Sequence, residues 1–350
     1  MKFLRFTMYI VKYLFIIFLS GFIISCGSNS GKKKDDFLIK TNTEKGNITN
    51  NETLSLSIIN KKKHVIDSVV YKINNQTITN NTHLLDFKLG KQTLEATIYF
   101  EGDVQTTTTA ITILNNVAPK IYKYKIINEY PHDITSYTQG LEFYNGYLYE
   151  STGQYKESKL RKLNYKTGEV LKNVDLANDY FGEGLTILNN KVFQLTWKKN
   201  IGFVYDVDTL EKMSSFKYGN SKEGWGLCNH NNIIYKSDGS EKIWLLNPET
   251  LVEEDYIQVC TNKGLITQIN EMEWIEGKIY ANRYQKNGVA IINPKNGGVI
   301  GVVDFTPLKE QVTQHAKLDV LNGIAYNPQT KTIFVTGKRW DKLFEVEILE

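Results

Sequence analysis

One carboxylate stands apart in this chain. In YFGEGLTILNN, Glu183 lies between two glycines at the head of an apolar run. The related phrases SYTQGLEFYNG and EGWGLCNHNN place Gln139 and Trp225 at that point instead, and Asn270 with Glu271, and Asn322, occupy it further on. Trp197, Tyr284 and Lys338 end the apolar runs that follow three of these phrases. One acid, one lysine, several amides and three aromatics make an aromatic box around a titratable group, which suits a small molecule or the end of a peptide chain. Other chemistries lack their residues. There is no HExxH, paired CxxC, GxSxG or phosphate loop, and His64, His83, His132, His230 and His315 are scattered.

The elements that must bring these residues together are short strands in a repeat. A glycine, an apolar strand and a polar turn recur at Gly140, Gly184, Gly226, Met272 in the equivalent slot, and Gly323, at intervals of 44, 42, 46 and 51. A second phrase, KLNYKTGEV, VYDVDTLEK, LLNPETLVE and IINPKNGGV, recurs out of phase, its Asn164, Asp206, Asn247 and Asn293 spaced by 42, 41 and 46. A period near 40–50 with several strands per unit predicts an all-β fold, a five-bladed β-propeller over 120–350. The fifth repeat lacks an outer strand, and IYKYKIINEY, just before the first repeat, is expected to supply it and close the ring. In a propeller the first strands line the central channel and the second strands return to the same end, so both sets of residues meet at one mouth. Glycines beside Glu183 would permit an unusual backbone and leave room. Channels are also lined by purely structural polar groups, and that reading of Glu183 stays open, as does a calcium ring that Glu183, Asn270 and Asn322 would supply in part, as in propeller lactonases. Nothing here requires a metal or another cofactor.

Residues 37–115 are rich in Thr, Asn and Lys, with alternating runs such as TLSLSII and TLEATIYF, and predict a small immunoglobulin-like β-sandwich in front of the propeller. Residues 1–25 carry a basic start, the apolar YLFIIFLSGFII and then Ser25 and Cys26, the pattern of an export leader ending in a lipobox. Cys26 is the expected lipidation site, 26–36 a tether, and the location the cell envelope, with the lipid in a membrane. Without the leader, which holds three basic and no acidic residues, the formal charge falls from +4 to +1, too little for nucleic acid. Cys228 and Cys260 read as plain buried residues.

The phrases YPHD, YTQGLEF, YFGEGLTIL, VFQLTW, EGWGL, INEMEWIEGKIYANRYQ, LNGIAYNP and VTGKRW resemble the plant-type glutaminyl-peptide cyclotransferases, also found in bacteria. The resemblance runs from Tyr130 to Glu350 and leaves out 1–115. It implies a five-bladed propeller that converts the N-terminal glutamine of peptides or proteins to pyroglutamate with loss of ammonia and without a catalytic metal. The family's acid falls on Glu183, its neighbouring aromatic on Phe181, its glutamine on Gln139, its tryptophans on Trp197 and Trp225, its asparagine on Asn270 and its lysine on Lys338. Tyr137 stands where the family commonly has Phe, and Tyr284 where it commonly has Trp. On this reading Glu183 is general base and then general acid, Gln139, Asn270 and Lys338 bind the amide oxygen, and Phe181, Trp197, Trp225 and Tyr284, with Tyr137 and Asn322, hold the substrate. Alternatively Lys338 pairs with Glu183 or Glu271. A non-catalytic propeller lipoprotein that binds peptide or glycan is the second reading of the whole chain.

Overall fold

The computed structural model describes residues 36–349. The expected leader, the lipidation of Cys26 and the tether as far as Asp35 lie outside the described residues.

Three four-stranded sheets and one eight-stranded sheet occupy the larger part of the chain, and the eight-stranded one is two four-stranded sheets joined edge to edge through Lys120–Pro131, which makes five units of four strands. The first takes Thr138–Tyr144, Tyr147–Thr152, Lys159–Asn164 and Glu169–Asp175, each antiparallel to the next. The second runs from Gly182–Leu188 to Lys212–Lys217, the third from Leu227–His230 to Glu253–Gln258, and the fourth from Ile269–Ile275 to Val299–Asp304. The fifth has Leu321–Asn327, Thr332–Gly337 and Lys342–Leu349, and its outer strand is Lys120–Pro131, from before the first sheet. The pairing runs from Lys342 opposite Pro131 to Leu349 opposite Lys123, which is the closure expected of IYKYKIINEY. The same strand also pairs in parallel with Val299–Asp304, Val302 facing Ile121.

Burial explains why the strands read as they do. The first strand of the second sheet is buried along nearly its whole length, and apart from Glu183 it carries small and apolar residues and one threonine. The fourth strand of the same sheet, KMSSFK, is almost wholly exposed and polar. Apolar clusters fill the spaces between successive sheets: Leu160 of the first packs with Leu185 and Phe203 of the second, and Leu141 and Phe143 of the first with Phe334 and Leu343 of the fifth. The first strands neighbour one another in cyclic order, the fifth returning to the first. Their approach is too close for side chains at the repeated glycines. A Cβ on Gly184 would lie 2.6 Å from Gly226 Cα and 2.7 Å from the Trp225 carbonyl oxygen. Gly182 and Gly184 are not in the left-handed region, so they supply room beside Glu183 rather than the unusual backbone expected from the sequence.

Ahead of the ring, a three-stranded and a five-stranded sheet share one core that includes Phe37, Leu54, Leu94, Ile98, Ile111 and Ile113. Cys260 of the ring belongs to that same core. Along this seam Gln258 donates to the Leu89 and Lys91 carbonyls at 3.4 and 3.2 Å and accepts from the Lys91 N–H at 3.1 Å, while Lys88 pairs with Asp255 at 2.5 Å.

Candidate active site

Four of the five first strands carry a β-bulge at the same end. One extra residue is inserted between Thr138 and Gly140, and again in the spans Gly182–Leu185, Ile269–Met272 and Leu321–Ile324. These bulges hold Gln139, Glu183, Asn270 with Glu271, and Asn322, and a bulge re-aims the side chains that it carries. The register also corrects one alignment. Leu185, Met272 and Ile324 each resume the pairing after the bulge, so Glu271 and not Met272 takes the place that Gly184 and Gly323 hold.

A cavity of about 350 Å³ opens at this end, lined by Tyr137, Gln139, Phe181, Glu183, Trp197, Trp225, Asn270, Tyr284 and Lys338, together with Gln154 and Tyr155. Its walls are two aromatic pairs, Phe181 with Trp197 at 5.5 Å between ring centroids and Trp225 with Tyr284 at 5.7 Å. Tyr137 and Tyr155 meet Phe181 edge-on. Gly239, at φ +79°, seats Trp225, because a Cβ there would strike the indole at 2.5 Å.

Glu183 is only 4% exposed, and its Oε2 has no hydrogen-bond partner among the described residues. Burial holds the carboxyl well above its ordinary range; Lys338 pulls it back, the Glu223 carboxylate adds to the rise, and the Gln139 amide lowers it. Lys338, 2% exposed, is brought down to about 8 by burial, against the pull of Glu183 and Asp319. Its Nζ lies 4.7 Å from the Tyr137 ring centroid and 5.1 Å from that of Tyr284, so the two tyrosines flank the ammonium from either side. Among the described residues Lys338 forms no direct ion pair with Glu183 or Glu271. The Glu271 carboxylate instead accepts the Ile324 N–H at 2.9 Å.

Asn322, expected in the wall, stands behind it. Its Nδ2 donates to the Thr138 carbonyl at 2.9 Å and to Gln139 Oε1 at 3.0 Å, which turns the Gln139 amide toward the cavity. Glu142 and Glu273, also on first strands, are buried cross-links between sheets: Glu142 accepts from Thr186 Oγ1 at 2.7 Å and Ile187 N at 3.1 Å, and Glu273 from Tyr326 N at 3.1 Å. Burial raises Glu142 to about 8. Asp133 accepts from Thr135 N at 2.9 Å in a turn, and His132 beside it ties two sheets together. Its ring, buried, lies 3.1 Å from Glu150 Oε1 and 2.8 Å from the Trp340 carbonyl oxygen. Cys228 and Cys260 are buried and unpaired.

Sequence reasoning missed four residues. Gln154 and Tyr155 sit in a turn with no repeat to mark them. Asp319 accepts from the Tyr137 hydroxyl at 2.9 Å, and Glu223 accepts from both Trp197 and Trp225. Only Glu223 left a trace, as the acid of EGWGL, two places before a tryptophan already singled out.

The glutamine cyclotransferase family model matches residues 97–348. A glutaminyl-peptide cyclotransferase of Arabidopsis thaliana is 37% identical over 238 residues, which cover 67% of this chain and 73% of that protein. The crystal structure of Myxococcus xanthus glutaminyl cyclase superposes with a TM-score of 0.61 at 35% identity, over 66% of this chain and 98% of that one.

Proposed function

Because the chain belongs to the glutamine cyclotransferase family, we propose that its cavity closes the N-terminal glutamine of a peptide or protein into pyroglutamate and releases ammonia. One observation carries this reading at the level of chemistry: a buried carboxyl with an unpartnered oxygen faces an aromatic cavity that also holds a lysine and three amides. A substrate α-amine has a pKa of about 7.7–8.0 and is mostly protonated at neutral pH, so it needs a base before it can attack. Glu183, raised by burial, accepts that proton. The bond from Nα to the side-chain amide carbon forms, Nα gives up its second proton as the bond from that carbon to the amide nitrogen breaks, and both protons leave on the departing nitrogen as ammonium, the first of them relayed by Glu183. Lys338, Asn270 and Gln139 stand on the same cavity and stabilise the amide oxygen as it gains charge, a role worth roughly 3–4 kcal/mol per well-placed donor. The aromatic walls hold the glutamine side chain folded back on its amine, and such preorganised ring closures reach effective molarities of about 10⁵ M.

We read the ring of five sheets as a five-bladed β-propeller and the two sheets before it as an immunoglobulin-like sandwich. The leader pattern supports an exported enzyme anchored in the cell envelope through a lipid on Cys26; failure of Cys26→Ser to lose metabolically incorporated fatty acid would count against the anchor.

Incubation of a short Gln-peptide with the full chain should yield a product lighter by one ammonia. Glu183→Gln keeps the side chain's shape and removes the base, so turnover should fall at least about 100-fold with the thermal unfolding midpoint preserved. A folded protein that binds the peptide and leaves its mass unchanged would return the molecule to the binding-module reading.

A further inference from the structure

Trp197 follows the second strand of the second sheet, and Trp225 precedes the first strand of the third, yet their indole N–H groups converge on a single atom. Oε2 of Glu223 accepts from Trp197 Nε1 at 2.8 Å and from Trp225 Nε1 at 2.9 Å. Trp197 packs on Phe181 and Trp225 on Tyr284, so this oxygen ties together the two aromatic walls of the cavity. The backbone around Glu223 is itself anchored. Glu253 accepts the N–H groups of Asn220 and Ser221 at 2.6 and 3.0 Å, and the fully buried Lys236 donates to the Glu223 carbonyl at 2.9 Å.

We propose that Glu223 is a positioning residue for the cyclisation, holding both indoles at fixed tilt and setting a negative charge beside Glu183. This rests on the cyclase reading. The half-buried carboxylate gives each indole N–H a charged acceptor, an arrangement stronger than a neutral one. Its charge also acts on Glu183. The groups that face Glu183 are Lys338, which favours the ionised carboxylate, Glu223, which opposes it, and the phenols of Tyr137 and Tyr218, whose ionisation Glu183 in turn disfavours. Glu223 is the acid in this set that strengthens Glu183 as a base, and the two effects separate in different variants.

The test compares wild type, Glu223→Gln and Glu223→Ala as full chains on a Gln-peptide, with tryptophan emission read in parallel. In Glu223→Gln an oxygen remains for the indoles but the charge is gone, so the acid limb of kcat/KM set by Glu183 should move to lower pH, with KM within about twofold of wild type. The falling limb set by Lys338 stays in place. In Glu223→Ala the indoles lose their acceptor, so KM should rise roughly tenfold and the emission maximum should shift. A Glu223→Gln profile superimposable on wild type, or a Glu223→Ala enzyme with unchanged KM, overturns the proposal. If Glu223→Ala does not fold, the Glu223→Gln profile alone decides. Wild type that never alters the peptide overturns the cyclase reading instead, and an emission spectrum unchanged in both variants would then overturn the clamp as well.

Discussion

Glu183 and Lys338 share one cavity without pairing, and each is pushed by burial toward its neutral form. The base works deprotonated and the lysine works charged, so kcat/KM should climb as Glu183 ionises and fall again as Lys338 loses its proton near pH 8. Lys338→Ala should abolish the falling limb and lower kcat by roughly 10²–10³, which a pH series on the Gln-peptide would show. An ammonium in the same cavity is also a poor neighbour for calcium. EDTA should therefore leave both rate and melting temperature unchanged, whereas a lactonase-like site would lose both. At this scale the sequence was readable where a residue broke a repeat. Glu183 occupies a slot that Gln139 and Trp225 fill elsewhere, and it stood out for that reason. Asp319 and Tyr155 break nothing, because they lie in loops whose lengths differ between sheets, and their roles arise through neighbours distant in sequence, Tyr137 and Lys338 for Asp319 and Phe181 for Tyr155.

Strands decide where these side chains point, and the deciding detail is the bulge. An inserted residue leaves no mark in a single sequence, since it looks like any other step of an apolar run. That is why Glu271 was set one place out of register, with Met272 in the glycine's slot, and why Asn322 was expected in a wall that it only supports. Strand identity was easier to read, because burial favours runs that are mostly apolar beyond the bulge and exposure permits polar ones. Before the first strand of the first sheet, His132 joins Glu150 to the Trp340 carbonyl and so fastens the first sheet to the fifth. Burial pulls the imidazole pKa down, but Glu150 beside it prevails and the net shift is upward. The contribution of the charged imidazole is thus complete below the unfolded histidine pKa of about 6.5 and disappears as pH rises through the higher folded value. His132→Ala leaves Glu150 buried with Arg161 as its remaining cation, and should cost about 3 kcal/mol in urea unfolding at pH 6, with a smaller cost at higher pH.

For the molecule as a whole, the order of the sheets in the chain was legible and the seam was not. Two independent repeat phrases located the sheets, whereas Cys260 reaches the core of the preceding sheets by a contact with no local period to announce it. The ring closes through Lys120–Pro131 and Lys342–Leu349, so deletion of either strand opens an edge and exposes one face of the fifth sheet. Chains ending at Arg339, or starting at Asp133, should fail to give a cooperative thermal transition by circular dichroism while the full chain retains one. The two partners of that closure lie more than two hundred positions apart, as Tyr130 opposite Leu343 shows. A growing polypeptide thus carries one half of its clasp through the synthesis of all the strands in between and must wait for the other until Lys342–Leu349 emerges. The ring can lock only once Lys342–Leu349 has left the ribosome, and a chain that stops short of that strand yields material for proteolysis rather than a slightly weakened enzyme.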